Sequence, residues 1–224
     1  MSIARAAGII LAKELRTEFR SRELLGTTLV FVLIVIVLFS FTFNPTSEES
    51  RRFGPGLLWL AFLFAGSLML QPSFLREQTN DTLAALRLAP IDPFSILAGK
   101  MAANFLFLLL VEVILLPVFA VLYNTAILPV LPQLLLVLAL GTVGLATTGT
   151  VFSAVASQAR LRELLLPLLL LPVLAPVLIA STESTIGILR DPPELSLVWI
   201  TFLTSFDVVF LTAAWLVGEY LLEE

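Results

Sequence analysis

Between Val113 and Ala159 the chain carries no charged residue. A helix needs about 20 mostly apolar residues to cross roughly 30 Å of hydrocarbon, so this run is too long for one crossing. Asn124, Pro129 and Pro132 divide it into two. The same reading finds charge-free stretches at Leu24–Ser47, Phe53–Leu75 and Leu164–Thr182, and a last one at Leu195–Gly218 interrupted by Asp207. The expected fold class is an all-α membrane protein with six transmembrane helices at 24–44, 53–75, 95–123, 133–157, 163–182 and 196–219. An amphipathic interfacial helix over 1–23 precedes them, and a cytoplasmic coupling loop over 76–94, containing a coupling helix, joins spans 2 and 3.

Composition points the same way. Hydrophobic residues make up 58% and charged residues 13%, against roughly a quarter charged in ordinary soluble domains, and mean hydropathy is +1.02. A soluble fold of 224 residues could not hide so much apolar surface. The 13 basic residues mostly flank apolar runs, which argues against a nucleic-acid partner. Cysteine and histidine are both absent. Their absence removes thiolate chemistry, the commonest metal ligand and the usual general base, so the chain is not expected to be an enzyme by itself, and no catalytic or metal-binding residue is assigned.

Six spans place Arg5, Lys13, Arg16, Arg20, Arg22, Arg76, Arg87, Lys100, Arg160 and Arg162 on one side, and Arg51, Arg52 and Arg190 on the other. The bias predicts cytoplasmic N- and C-termini and a cytoplasmic 76–94 loop. The charged start runs past 20 residues into a segment long enough to span, so it reads as a retained helix and not as a cleaved signal peptide. Arg5, Lys13, Arg16 and Arg20 share one helical face, and Ile3, Ala7, Leu11, Leu15 and Phe19 share the other, the pattern of a helix lying in the interface. Its cations are either ordinary flanking charge or part of an elbow that contacts a partner.

The insert Arg76–Asn104 is polar but patterned. Asn80 or Asp81 can cap a helix, Leu83, Leu86 and Leu88 recur at helical spacing, and Pro90 stops it. This predicts a short helix over Asn80–Leu88, with Arg87 and Asp92 completing a docking surface. Gly99 and Lys100 do not form a nucleotide-binding phosphate loop: Phe94 stands where that motif needs glycine, and Met101 where it needs Ser or Thr. ATP, if used, is bound by a separate subunit.

Within the spans, Glu112 and Asp207 are candidates for a proton or substrate site. The alternative is a polar clasp to Ser, Thr or Asn on a neighbouring helix. Gly141, Gly144 and Gly149, with Ser153 and Ser157, allow close helix approach, either within the chain or between subunits. Pro167, Pro172 and Pro176 are expected to bend the fifth span.

The stretch FLREQTNDTLAALRLAPIDPFSILAGKMAANF, Phe74 to Phe105, resembles the signature region of the haem exporter protein B (CcmB) family of cytochrome c maturation. Leu88, Ala89, Pro90, Ile91 and Asp92, then Ile96, Gly99, Lys100 and Asn104, carry the likeness. The basic helix at Glu14–Arg22, the run around Glu112 and Pro117, and the proline-rich Leu165–Ala180 follow in the family's order. The chain departs from many relatives at Asp81 and Ala84.

The resemblance implies a single ABC-2-like transmembrane domain over 1–224, acting as the permease subunit of an ABC transporter complex in the bacterial inner membrane. It implies a cytosolic ATPase partner, haem-handling and small membrane subunits, a periplasmic haem chaperone as indirect partner, and a homodimer within the complex. ATP hydrolysis would drive haem export or release of the haem-loaded chaperone. Haem is then the pathway substrate and not a bound cofactor. Axial ligation most often uses His, with Cys, Met or Tyr as alternatives, and only Met1, Met69, Met101, Tyr123 and Tyr220 remain here. Two other functions stay open: an exporter permease for a lipid, drug or polysaccharide, and a non-transporting membrane assembly scaffold.

Overall fold

A computed structural model describes residues 2–42, 48–74, 91–157 and 162–223. Every regular element among these is helical: α1 (Ile3–Ser21), α2 (Glu23–Thr42), α3 (Glu48–Leu70), α4 (Pro93–Leu122), α5 (Leu131–Ser157), α6 (Arg162–Ile188) and α7 (Leu197–Glu223). A 3₁₀ turn at Leu128–Val130 leads into α5. Six of these helices, α2 to α7, are long and apolar enough to cross a membrane. The chain is a multi-pass membrane protein.

The helix ends follow caps and glycines more closely than they follow charges. α6 runs through Pro167, Pro172 and Pro176 and continues past Glu183 to Ile188, beyond the Thr182 boundary read from charge alone. A charge does not end a helix when its side chain reaches solvent or headgroups. Here the turn comes at Gly187, whose carbonyl accepts from Glu194 N at 3.0 Å. A Cβ on Gly187 would lie 2.7 Å from the Glu194 carbonyl oxygen, so the returning chain needs glycine there.

α3 and α5 form the centre. α5 packs against α4, α6 and α7, while α3 packs against α2, α6 and α4 and also touches α5. Trp59, Phe62, Leu70, Leu115, Val137 and Leu174 are buried in one continuous core. Small residues on α5 bring these helices together. A Cβ on Gly149 would run into Leu70, and one on Gly141 would run into the Trp59 ring. The Trp59 indole N–H donates to Thr185 Oγ1 at 3.0 Å, and Ser153 Oγ donates to the Leu70 carbonyl at 2.7 Å. The glycine and serine stripe of the fourth span is therefore used for packing inside the chain.

α1 stands outside the bundle and lies along the start of α4. Its buried line is Ala6, Ile10 and Glu18, with Ala7, Leu11, Glu14 and Leu15 half-buried beside it. Of the apolar face read from sequence, Ala7, Leu11 and Leu15 are half-buried, while Ile3 at 40% and Phe19 at 54% remain exposed on the protein. Two carboxylates, Glu14 and Glu18, share the side of α1 that turns toward the bundle. Phe19 meets Phe107 edge to face, with ring centroids 6.5 Å apart.

Candidate functional site at the base of segment 75–90

The proposed docking residues Asn80, Asp81, Leu83, Leu86, Arg87, Leu88 and Pro90 lie outside the described residues. The two ends of that segment are described. Phe74 closes a short helical turn on the incoming side. On the outgoing side Asp92 begins α4: its carboxylate accepts from Phe94 N at 2.8 Å, with Pro93 at the first helical position. Asp92 is thus an N-cap, a role its Asp-Pro-Phe-Ser context allows, since proline supplies the fixed φ and gives up a donor that a first turn does not use.

Two turns further along α4, Gly99 presents bare backbone to α1. A Cβ there would sit 2.7 Å from Ile10 Cβ and 2.8 Å from the Ala7 carbonyl oxygen. Glycine is required for α1 to lie this close. The close approach delivers Glu14 to Lys100, whose side chain is only 1% exposed. Lys100 Nζ donates to Glu14 Oε1 at 2.9 Å and to the Ser73 carbonyl, and it lies 4.8 Å from the centroid of the Phe74 ring. Asn104, one turn on, donates from Nδ2 to Ser73 Oγ at 3.3 Å and to Thr150 Oγ1 on α5 at 2.9 Å.

The electrostatics of this knot are mixed. Burial pushes the Glu14 carboxyl upward, but the Lys100 ammonium, beside it and hydrogen-bonded to it, and then Lys13 at 3.2 Å, more than offset that effect. The carboxyl ends below its ordinary value of 4.5. A second acid of the same line, Glu18, accepts from Leu25 N at 2.9 Å. That bond satisfies one of the orphan donors in the first turn of α2. Arg22, at the elbow, takes a left-handed conformation with φ 55°. The knot therefore joins α1, α2, α4, α5 and the end of α3, and it sits under both ends of segment 75–90.

The structure places Gly99, Lys100 and Asn104 together and gives each a distinct contact. It does not bring Glu112 and Asp207 into one site. Glu112 Oε2 accepts from Thr142 Oγ1 at 2.6 Å, the clasp to a neighbouring helix that was one of the two readings. Asp207 is 5% exposed, and neither carboxylate oxygen has a partner among the described residues. Its Oδ1 lies 3.0 Å from where a Cβ on Gly144 would stand. Thr142 and Gly144 are two residues apart, about 200° around the helix, so the acids meet nearly opposite sides of α5. Met69, Met101 and Tyr123, the described Met and Tyr side chains, are each buried within the bundle.

Sequence reasoning missed Glu14 and Glu18 as inward-facing groups, along with Ser73, Thr142 and Thr150. A signal for the acids existed: Ala6, Ile10, Glu14 and Glu18 follow one another at four-residue steps, the spacing of neighbours along one helix face.

Comparison with known proteins gives the family. The chain matches the family described as CcmB protein over residues 5–217, a range that takes in the knot and most or all of every helix. It is 34% identical over 200 residues to heme exporter protein B of Pseudomonas aeruginosa, covering 88% of each chain. It is also 34% identical over 209 residues to heme exporter protein B of Rhodobacter capsulatus, covering 92% of this chain and 95% of that protein. With heme exporter protein B of Paracoccus denitrificans the identity is 32% over 196 residues, covering 87% and 89%. On the family match across nearly its whole length and on these relatives, the chain belongs to the CcmB protein family.

Proposed function

We propose that this chain is the permease subunit of a haem-exporting ABC transporter complex in the bacterial inner membrane, formed as a single ABC-2-like domain. A separate cytosolic ATPase binds the nucleotide, and this chain catalyses no reaction itself. Segment 75–90 takes the ATPase through the Asn80–Leu88 helix, with its termini and the knot on the cytoplasmic side, as the ten-to-three distribution of basic residues supports. Two copies of the chain match the two ATPase subunits that close as a pair. Haem-handling and small membrane subunits complete the assembly, and ATP hydrolysis serves haem export or release of the haem-loaded periplasmic chaperone.

The observation that carries the reading is the Lys100 knot. One buried ammonium holds the Ser73 carbonyl at the incoming end of the segment, sits on the helix that starts at its outgoing end, and grips Glu14 of α1. A push on the segment is thereby transmitted to α1, α3 and α4 together. The test is co-purification. Charged substitutions at Leu83 and Leu86 abolish ATPase association while membrane insertion persists; unchanged association would sink the docking assignment. A complex that lacks every haem-pathway partner would favour an exporter of another substrate, and chaperone release independent of ATP would favour a passive scaffold.

A further inference from the structure

At the end of the bundle remote from segment 75–90, α3 and α6 part to leave an open groove of about 460 Å³. Gly56 opens its floor: Thr182 Cγ2 comes no nearer than 3.6 Å to where a side chain would begin. Leu57, Leu60 and Ile179 make the walls. The Trp59 indole also borders the groove, but its N–H is already given to Thr185 Oγ1 at 3.0 Å. The groove therefore offers an apolar channel with no free indole donor. Its stretch of α3 from Phe53 to Leu60 corresponds to about 10 Å of helix rise, at about 1.5 Å per residue.

The groove has one charged lining residue, Glu183, and a cation beside its lining residue Phe53. Glu183 lines the groove and is exposed, and its carboxylate makes no hydrogen bond or ion pair among the described residues. Phe53 lines the same groove, and the Arg52 guanidinium lies 5.9 Å from the centroid of its ring. We infer that this groove binds one acyl chain of a phospholipid whose headgroup carries a primary ammonium, with the ammonium on Glu183 and the phosphate toward Arg52.

Charge complementarity selects this occupant. A primary ammonium offers Glu183 up to three N–H donors, and a charge-assisted hydrogen bond is the strong kind. A choline headgroup has the same charge but no N–H to give. A glycerol headgroup leaves the phosphate charge unbalanced beside the carboxylate. A second transmembrane helix seated here would press apolar side chains against the Glu183 carboxylate and strip its water, which is costly unless a cation answers the charge.

The experiment is native mass spectrometry of the full chain in mild detergent, titrated with phosphatidylethanolamine, phosphatidylcholine and phosphatidylglycerol of identical acyl chains. The expected result is a preference of about tenfold for the ethanolamine lipid, the scale of one charge-assisted hydrogen bond. Glu183→Gln removes the preference among headgroups. Ile179→Trp, at a position 57% exposed and so tolerant of change, fills the groove and lowers retention of all three. Equal retention of the three lipids by the unmodified chain, or an unaltered preference in Glu183→Gln, overturns the proposal. So does efficient disulfide linkage of two Ile179→Cys chains in native membranes, which would mean that a second copy covers the groove; the chain has no other cysteine to confuse that result.

Discussion

Lys100 on α4 and Glu14 on α1 meet at 2.9 Å, the lysine almost wholly enclosed and the glutamate partly open. Removing Lys100 takes away the nearer of the two ammonium groups on Glu14, with Lys13 left at 3.2 Å, and a hydrogen bond to a charged group is worth about 1.5–3 kcal/mol. Lys100→Met is therefore expected to lower the unfolding midpoint in detergent sharply. The Lys100→Met/Glu14→Leu double variant recovers much of the loss, because it removes both charges. Additive losses in that cycle would mean that the pair does not hold α1.

Acid is expected to release α1. The Glu14 carboxyl is held below its ordinary value of 4.5, so its stabilising contribution is complete above that value and disappears as pH falls through the lower, folded-state value. A spin label at Ile9→Cys, an exposed site on α1, reports this as increased mobility below about pH 4.5. Glu14→Gln removes the part of the transition that the Glu14–Lys100 pair carries.

Two glycines with opposite surroundings make a matched pair. Gly99→Ala drives a Cβ into Ile10 and the Ala7 carbonyl, and is expected to cost about 1–3 kcal/mol as overpacking that shifts backbone. Gly26→Ala, in α2 with nothing within 4 Å, is expected to be neutral or to stabilise by up to about 1 kcal/mol through helix propensity. Thermal unfolding in the same detergent compares them. An equal effect of both would deny the close seat of α1.

Thr142 gives Glu112 its one hydrogen bond among the described residues. Thr142→Val leaves that buried carboxyl without it and is expected to destabilise by about 1–3 kcal/mol. Glu112→Gln keeps an acceptor for Thr142 and costs less. If ATP-dependent chaperone release survives Glu112→Gln and Asp207→Asn together, neither acid serves as an obligatory proton or substrate site.

Much of this architecture could be read from the chain before any coordinates. A run without charge from Val113 to Ala159 has few physical outcomes, and the spans on either side follow from the same rule, because lipid tolerates neither charge nor unpaired backbone. The cap at Asp92 is equally local, with carboxylate, proline and first-turn amide adjacent in sequence, although the sequence reading assigns Asp92 to the docking surface. The ends of the helices were less legible. α6 passes through Glu183, because whether a charge can be satisfied depends on what surrounds it and not on the residue itself.

The site divides along the same line. Gly99, Lys100 and Asn104 stood out as a motif, but their partners Glu14, Ser73 and Thr150 lie 86, 31 and 46 positions away in the pairs they form, beyond the reach of any local pattern. The sequence by itself determined the solvent, the number of crossings and the helical class, since those depend on summed hydropathy and on backbone hydrogen bonds closed within each helix. Only the tertiary structure decided which face of α1 turns inward, that Lys100 is a buried ion-pair partner in place of a flanking charge, and that Glu112 and Asp207 meet different sides of α5. Those outcomes depend on close approach at single glycines and on pairing across distant helices, where the energy belongs to the contact and not to either residue alone.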